Sequence, residues 1–255
     1  MALLWSLLFI VPLIVLSTIV HWTISLIATL FDPSGRRSFQ VARSWARSLL
    51  RFPGVSVTIE GAEKIRADGS YIFVSNHLSY MDTPVVLTHV PVQFRFFAKS
   101  GLFQIPFMGW YLSKGGHVPV PRKDPRAAVR ILTQAAEIIR THGISLLIFP
   151  EGGRSRDGVL QPFQDGAAYL AIKAQVPVVP LALIGTREVL PMGSGTFHRH
   201  PVRLLIGDPI ATEGMAIRER RALTQLARER IVEMLGASGT APESVPSTLP
   251  ARSSD

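Results

Sequence analysis

The chain has 255 residues, 47% of them hydrophobic, with 27 Lys+Arg against 18 Asp+Glu for a formal charge of +9, and no cysteine. That length suits one domain with a substantial core, or such a domain with an appendage. The lack of cysteine excludes disulfides and thiolate metal sites, and the basic residues are not interleaved with aromatics as a nucleic-acid surface would need. No nucleic acid is therefore expected as a partner, and the charge is assigned to lipid.

From Met1 to Phe31 there is no Asp, Glu, Lys or Arg. Some thirty helical residues would extend ~45 Å against a hydrocarbon core of ~30 Å. Pro12 interrupts the run, so a bend or two legs is expected. A signal peptide is the competing reading, but a basic leading region and a small-x-small cleavage site are lacking. Residues 1–35 are read as a retained membrane anchor.

Five arginines follow between Arg36 and Arg51. By the positive-inside rule they place the rest of the chain on the cytoplasmic side of the inner membrane. Over 36–52, Phe39, Ala42, Trp45, Ala46 and Leu49 recur on one side, with Arg36, Arg43, Arg47 and Arg51 on the other. The pattern predicts an interfacial helix lying in the headgroup layer. A surface helix packed on its own domain would show the same periodicity.

After Pro53-Gly54 the chain alternates. Strands are expected at Val55–Glu60, Tyr71–Ser75, Phe94–Ala98, His117–Val120, Ile144–Phe149, Val178–Ile184 and Val202–Ile206. Helices are expected from Asp82, over 125–142, over Gly166–Ala174 and over about 215–235. In 125–142, Ala128, Val129, Leu132, Ala135, Ala136 and Ile139 share one face. The segment between Ala98 and His117 reads as a Gly/Pro-punctuated loop. Alternation of this kind gives an α/β domain over 53–236, and the Ser/Pro/Thr/Gly-rich 237–255 reads as a disordered tail.

Two segments carry chemistry. His77 is the only one of seven histidines with a carboxylate five residues on, Asp82. An acid that accepts from one ring nitrogen fixes the tautomer and leaves the other nitrogen as a base. Without a second His or Cys at ligand spacing, a metal is not expected. Phe149-Pro150-Glu151-Gly152-Gly153-Arg154-Ser155 sits at the end of Ile144–Phe149, the strand expected to be central and buried. Its glycines admit close approach of a ligand to backbone N–H groups, and Arg154 can pair with a phosphate. Gly115 through Arg122 repeats the theme of a strand running into an arginine. A base and an anion clamp together point to chemistry on a phosphorylated alcohol.

Taken in order, these segments resemble the lysophosphatidic acid acyltransferase family of glycerolipid acyltransferases. Its first block, His-x4-Asp, is met by Asn76, His77 and Asp82, and its second by Gly116 through Arg122, with Pro119 and Pro121 unusual inside it. The third, Phe-Pro-Glu-Gly-Thr-Arg-Ser, is met except that Gly153 replaces the threonine; the fourth is the strand at Val176–Pro180. The likeness extends over about 71–210, taking in Lys99 and Gly207-Asp208-Pro209-Ile210. Gln164 stands where relatives often carry a lysine. These departures leave the His77–Asp82 chemistry intact and bear on which acceptor is used.

The resemblance implies a mixed central sheet flanked by helices, with an N-terminal apolar membrane helix or helix pair. It implies attack by a lysophospholipid hydroxyl on the thioester of acyl-CoA or acyl-carrier protein at the bilayer, with no metal or prosthetic group. In that scheme His77 deprotonates the sn-2 hydroxyl and Asp82 steadies the imidazolium. Arg122 and Arg154, with Lys99, bind the glycerol phosphate beside Gly152 and Gly153. Glu151 orients either the loop or a glycerol hydroxyl. Other lysophospholipids or lyso-ornithine lipid are alternative acceptors, and an inactive lipid-binding scaffold is the reading from a different class.

Overall fold

In the computed structural model, which describes residues 2–32, 35–105, 108–120 and 125–237, the uncharged start of the chain is one helix, α1 (Ala2–Leu30). It does not fold into two legs at Pro12. A π-helical turn at Ser6–Ile10 lies just before the proline, and such a widened turn takes up the ring that an α-helical turn would obstruct. The second leg is instead the next helix, α2 (Arg36–Arg51).

The two helices meet along a seam of hydroxyls. Ser17 and Ser48 are hydrogen-bonded at 2.6 Å, Thr29 and Ser38 at 2.9 Å, and His21 Nε2 reaches Ser44 Oγ at 3.1 Å. Ser17, His21, Ser25 and Thr29 follow one another at four-residue spacing, which puts them on one helix face. The other faces of α1 expose Leu4, Leu8, Leu16, Ile19, Ile27 and Leu30.

The apolar side of α2 packs on its own domain. Phe39, Ala46 and Leu50 are buried in the same cluster as Phe73 and Phe94, with Ala42 and Trp45 packed against it. Arg43 also turns inward, donating to the carbonyls of Leu87 (2.9 Å) and Val90. Those carbonyls close the last turn of α3 (Asp82–His89), where a helix leaves acceptors unsatisfied. Arg36, Arg47 and Arg51 stay exposed.

The domain is built on β1 (Val57–Glu60), β2 (Ile72–Ser75), β3 (Phe94–Lys99), β4 (Val118–Val120), β5 (Ser145–Ile148), β6 (Val178–Ile184) and β7 (Val202–Ile206). They form one seven-stranded sheet in the order β1-β7-β6-β2-β5-β3-β4. Only the β6–β7 pair is antiparallel; β2 pairs with β5 and β6 in parallel, with Ile72 facing both Leu146 and Val178. The central strands read as continuous apolar runs because both faces are covered. Phe73, Leu147 and Val179 point to the side of α2 and α3. Ile72, Leu146 and Val178 point to the side of α5 (Pro125–His142), α6 (Gly166–Ala174) and α8 (Arg220–Ala237). This alternation with period two is what a doubly covered sheet requires. Fully burying a side chain such as Phe73 contributes about 1.5–3 kcal/mol.

Strand and helix bounds fall close to those expected. Two short α-helices among the described residues were not anticipated: α4 (Met108–Lys114), inside the segment read as loop, and α7 (Thr186–Val189). Seven and four residues are too few for a helical period to show. Val129 is exposed although it was placed on the inner face of α5, where Ala135, Ala136 and Ile139 do the packing. The tail after Ala237 lies outside the described residues.

Candidate active site

Four neighbouring parallel strands, β2, β5, β3 and β4, end on the same edge of the sheet. Residues that follow such carboxyl ends converge, which is where open α/β sheets bind ligands. His77 follows β2, Glu151–Arg154 follow β5, and Lys99 closes β3, exposed and in register with Val120 of β4. Arg122, two residues past β4, lies outside the described residues.

Asp82 is the first residue of α3 and wholly buried. Its Oδ2 accepts from His77 Nδ1 at 2.7 Å and from the backbone N–H groups of Leu78 (2.7 Å) and Ser79 (2.9 Å). An ionised carboxylate at a helix N-terminus, surrounded by donors, is favourably placed. With the Nδ1 proton directed at Asp82, Nε2 is left as the free acceptor. Phe149 stacks on the imidazole at 3.9 Å with 14° between the planes, fixing the ring from one side.

Asn76 behaves as a strand-end brace. Its side-chain carbonyl accepts from Leu183 N–H (2.8 Å) and its amide donates to Leu183 O (2.9 Å), so it bridges β2 to β6 as a backbone pair would.

The loops that follow β2 and β5 are sewn together. Ser155 N–H donates to His77 O at 2.8 Å, and His77 N–H donates to Glu151 Oε1 at 2.6 Å. Glu151 Oε2 accepts from Gln161 N–H at 2.9 Å. Both oxygens are thus occupied by backbone donors, which favours the loop-orienting alternative over a hydroxyl contact. Burial pushes the Glu151 carboxyl up to about 7, against the two N–H bonds that favour its charged form.

Glu151→Gln puts an amide N–H₂ against one of the two N–H donors, so one bond is lost and the His77 backbone shifts. The expected result is a fall in kcat of ~10-fold or more, because the imidazole is displaced. Steady-state kinetics of the purified variant check this.

Gly152 has φ +74°, and a Cβ there would come within 2.6 Å of the Gln164 side-chain nitrogen, so the turn needs glycine and Gln164 lies over it. At Gly153 a Cβ would meet nothing within 4 Å, so the threonine of the family pattern could stand there without rearrangement. Arg154 makes no hydrogen bond or ion pair among the described residues; its guanidinium carbon lies 3.5 Å above the centre of the Tyr80 ring. An open cleft of about 450 Å³ lined by Glu151, Gly153, Arg154, Arg156 and Gln161 adjoins it.

This is the arrangement of a buried acid orienting a histidine that keeps a small part of its ring exposed, with cations along the neighbouring strand ends. The acyltransferase family matches this chain over residues 56–184, which includes all of these segments. The chain belongs to the acyltransferase family.

Among similar proteins, the chloroplastic 1-acyl-sn-glycerol-3-phosphate acyltransferase LPAT1 of Arabidopsis thaliana is 41% identical over 185 residues, covering 71% of this chain and 51% of the plant protein. The 1-acyl-sn-glycerol-3-phosphate acyltransferase of Saccharomyces cerevisiae is 28% identical over 228 residues, covering 89% and 75%. This acyltransferase spans about half the length of the first plant relatives it matches. The crystal structure of the 1-acyl-sn-glycerophosphate acyltransferase PlsC from Thermotoga maritima superposes with a TM-score of 0.78 at 26% identity, covering 95% of this chain and 98% of that one.

Sequence reasoning brought together His77, Asp82, Glu151, Gly152, Gly153 and Arg154, and the structure collects them at one edge with Lys99 nearby. It passed over Phe149 as the ring beneath His77, Ser155 and Gln161 as backbone donors, and Tyr80 under Arg154. Phe149 and Ser155 stand within the third block, and Tyr80 stands in the spacer of the first, so spacing alone marked their neighbourhood without their contacts.

Proposed function

We propose that this acyltransferase moves a fatty acyl group from acyl-CoA or acyl-carrier protein to the sn-2 hydroxyl of 1-acylglycerol 3-phosphate, giving phosphatidate. The observation that carries the reading is the 2.7 Å bond from His77 Nδ1 to buried Asp82, beside Arg154, which has no ion pair among the described residues. The names of the relatives supply the acceptor. His77 Nε2 takes the hydroxyl proton as the oxygen attacks the thioester carbonyl, and the carbon–sulfur bond then breaks. The proton passes from the imidazolium to the departing thiolate, so His77 ends neutral and the free thiol leaves. No enzyme nucleophile is involved. Lys99 and Arg154, with Arg122, neutralise the acceptor phosphate and bring the sn-2 hydroxyl to the base.

A radiolabelled acyl-transfer assay over a panel of lysolipids, with both thioester carriers, tests the assignment. Transfer to a different headgroup in preference to lysophosphatidate would overturn it. Arg154→Lys is expected to raise KM for lysophosphatidate several-fold while KM for the donor stays put, since a point charge does not reproduce a bidentate guanidinium. A change confined to the donor would move Arg154 to the donor's phosphates.

The membrane reading is that α1 lies within one leaflet on the cytoplasmic side. Two contacts support it. Ser6 Oγ near the start of α1 accepts from Phe197 N–H at 3.0 Å, and the half from Ser17 to Thr29 is bonded to α2. A helix that crossed the bilayer would carry one end ~30 Å away from the domain. The exposed apolar residues of α1 and the arginines of α2 then face acyl chains and headgroups.

A further inference from the structure

Tyr80 lies between the base and its acid, in the spacer Leu78-Ser79-Tyr80-Met81. The rest of that spacer is committed inward. Leu78 and Ser79 N–H bind Asp82, Ser79 Oγ donates to Leu190 O at 2.9 Å, and Met81 is buried. Tyr80 alone projects outward, 58% exposed, with Arg154 stacked on it at 3.5 Å. That separation is the contact distance of two stacked planes, shorter than a cation–π pair needs.

An acidic partner would hold the guanidinium by its N–H groups, and would neutralise the charge that a phosphate is to meet. An aromatic face holds it through the π-cloud and leaves every in-plane donor free. We propose that Tyr80 is the positioning residue for Arg154, presenting the guanidinium edge to the phosphomonoester of the acceptor. Because the ring is rooted in the His77–Asp82 spacer, it also sets the distance from that phosphate to the base. The inference rests on Arg154 binding the acceptor phosphate.

The test uses the full chain with lysophosphatidate, both in detergent micelles and in phosphatidylcholine vesicles. Tyr80→Leu keeps an apolar side chain and removes the π face. It is expected to raise KM for lysophosphatidate ~3- to 30-fold, in line with the strength of cation–π contacts, with kcat and donor KM within about twofold. Tyr80→Phe, which keeps the face, restores the KM. In the Arg154→Lys background the further rise caused by Tyr80→Leu shrinks, because the two side chains act as one unit.

If Arg154→Lys leaves KM for lysophosphatidate untouched, the phosphate reading of Arg154 fails and the inference goes with it. If Arg154→Lys raises KM but Tyr80→Leu does not, or the two effects multiply in full, the role of Tyr80 alone is overturned. An effect of Tyr80→Leu seen in vesicles and absent in micelles makes the ring a bilayer contact and likewise overturns it. Unchanged thermal unfolding of Tyr80→Leu separates all of these from misfolding.

Discussion

His77→Ala is expected to lower kcat by ~10²- to 10⁴-fold, the usual cost of losing a general base, while the variant folds and still binds lysophosphatidate. Folding should survive because the backbone bonds from His77 N–H to Glu151 and from Ser155 N–H to His77 O do not need the side chain, with some loss of stability because the ring is mostly buried against Phe149. Asp82→Asn should be impaired on a comparable scale, up to ~10⁴-fold where a triad offers the comparison, since an amide can favour the wrong imidazole tautomer. In the opposite amide orientation the His77 bond is kept and an N–H₂ is buried at the Oδ1 position, which has no hydrogen-bond partner among the described residues, so stability is lost instead. Acyl-transfer kinetics beside thermal unfolding separate the two effects. Near-normal kcat for His77→Ala would remove the mechanism.

Deleting α1 and deleting α1 with α2 are expected to give different proteins. The surface of α2 that α1 covers carries Ser38, Ser44 and Ser48, hydroxyls that water can satisfy. A chain starting at about residue 35 should therefore leave the membrane fraction as a folded domain. It should also lose more activity on bilayer substrate than on detergent-dispersed substrate. A chain starting after residue 52 loses Phe39, Leu49 and Leu50 from the core as well. At about 1.5–3 kcal/mol for each buried side chain, that is comparable with the whole stability of a domain, about 5–15 kcal/mol, so aggregation is expected. The intact protein should stay with membranes in high salt, because apolar insertion is not screened as surface charge is. Fractionation after a high-salt wash decides it, and recovery of intact protein in the soluble fraction refutes the anchor.

The local elements were legible in the sequence because local physics makes them. The apolar runs of β2, β5 and β6 and the long amphipathic periods of α5 and α8 report how each segment is buried. The His77–Asp82 pair was legible for the same reason: five residues of chain bring an acid at a helix start back to a ring at a strand end. The seam of Ser17, His21, Ser25 and Thr29 was equally visible in its four-residue spacing.

What covers each face is a different matter. The pattern of α2 specifies an apolar side and a basic side, and a headgroup layer and a hydrophobic core satisfy that pattern equally; only the packing on Phe73 and Phe94 decides for the core. Nor does spacing reveal that β2 stands between β5 and β6, because strand order is a choice among non-local pairings. That order brings Glu151 to the backbone of His77 across 74 residues of chain. It also lays Arg154 on Tyr80. The candidate reacting groups reside in short stretches of sequence, whereas the partners that orient them come from strands far apart in the chain, and only tertiary structure closes that distance.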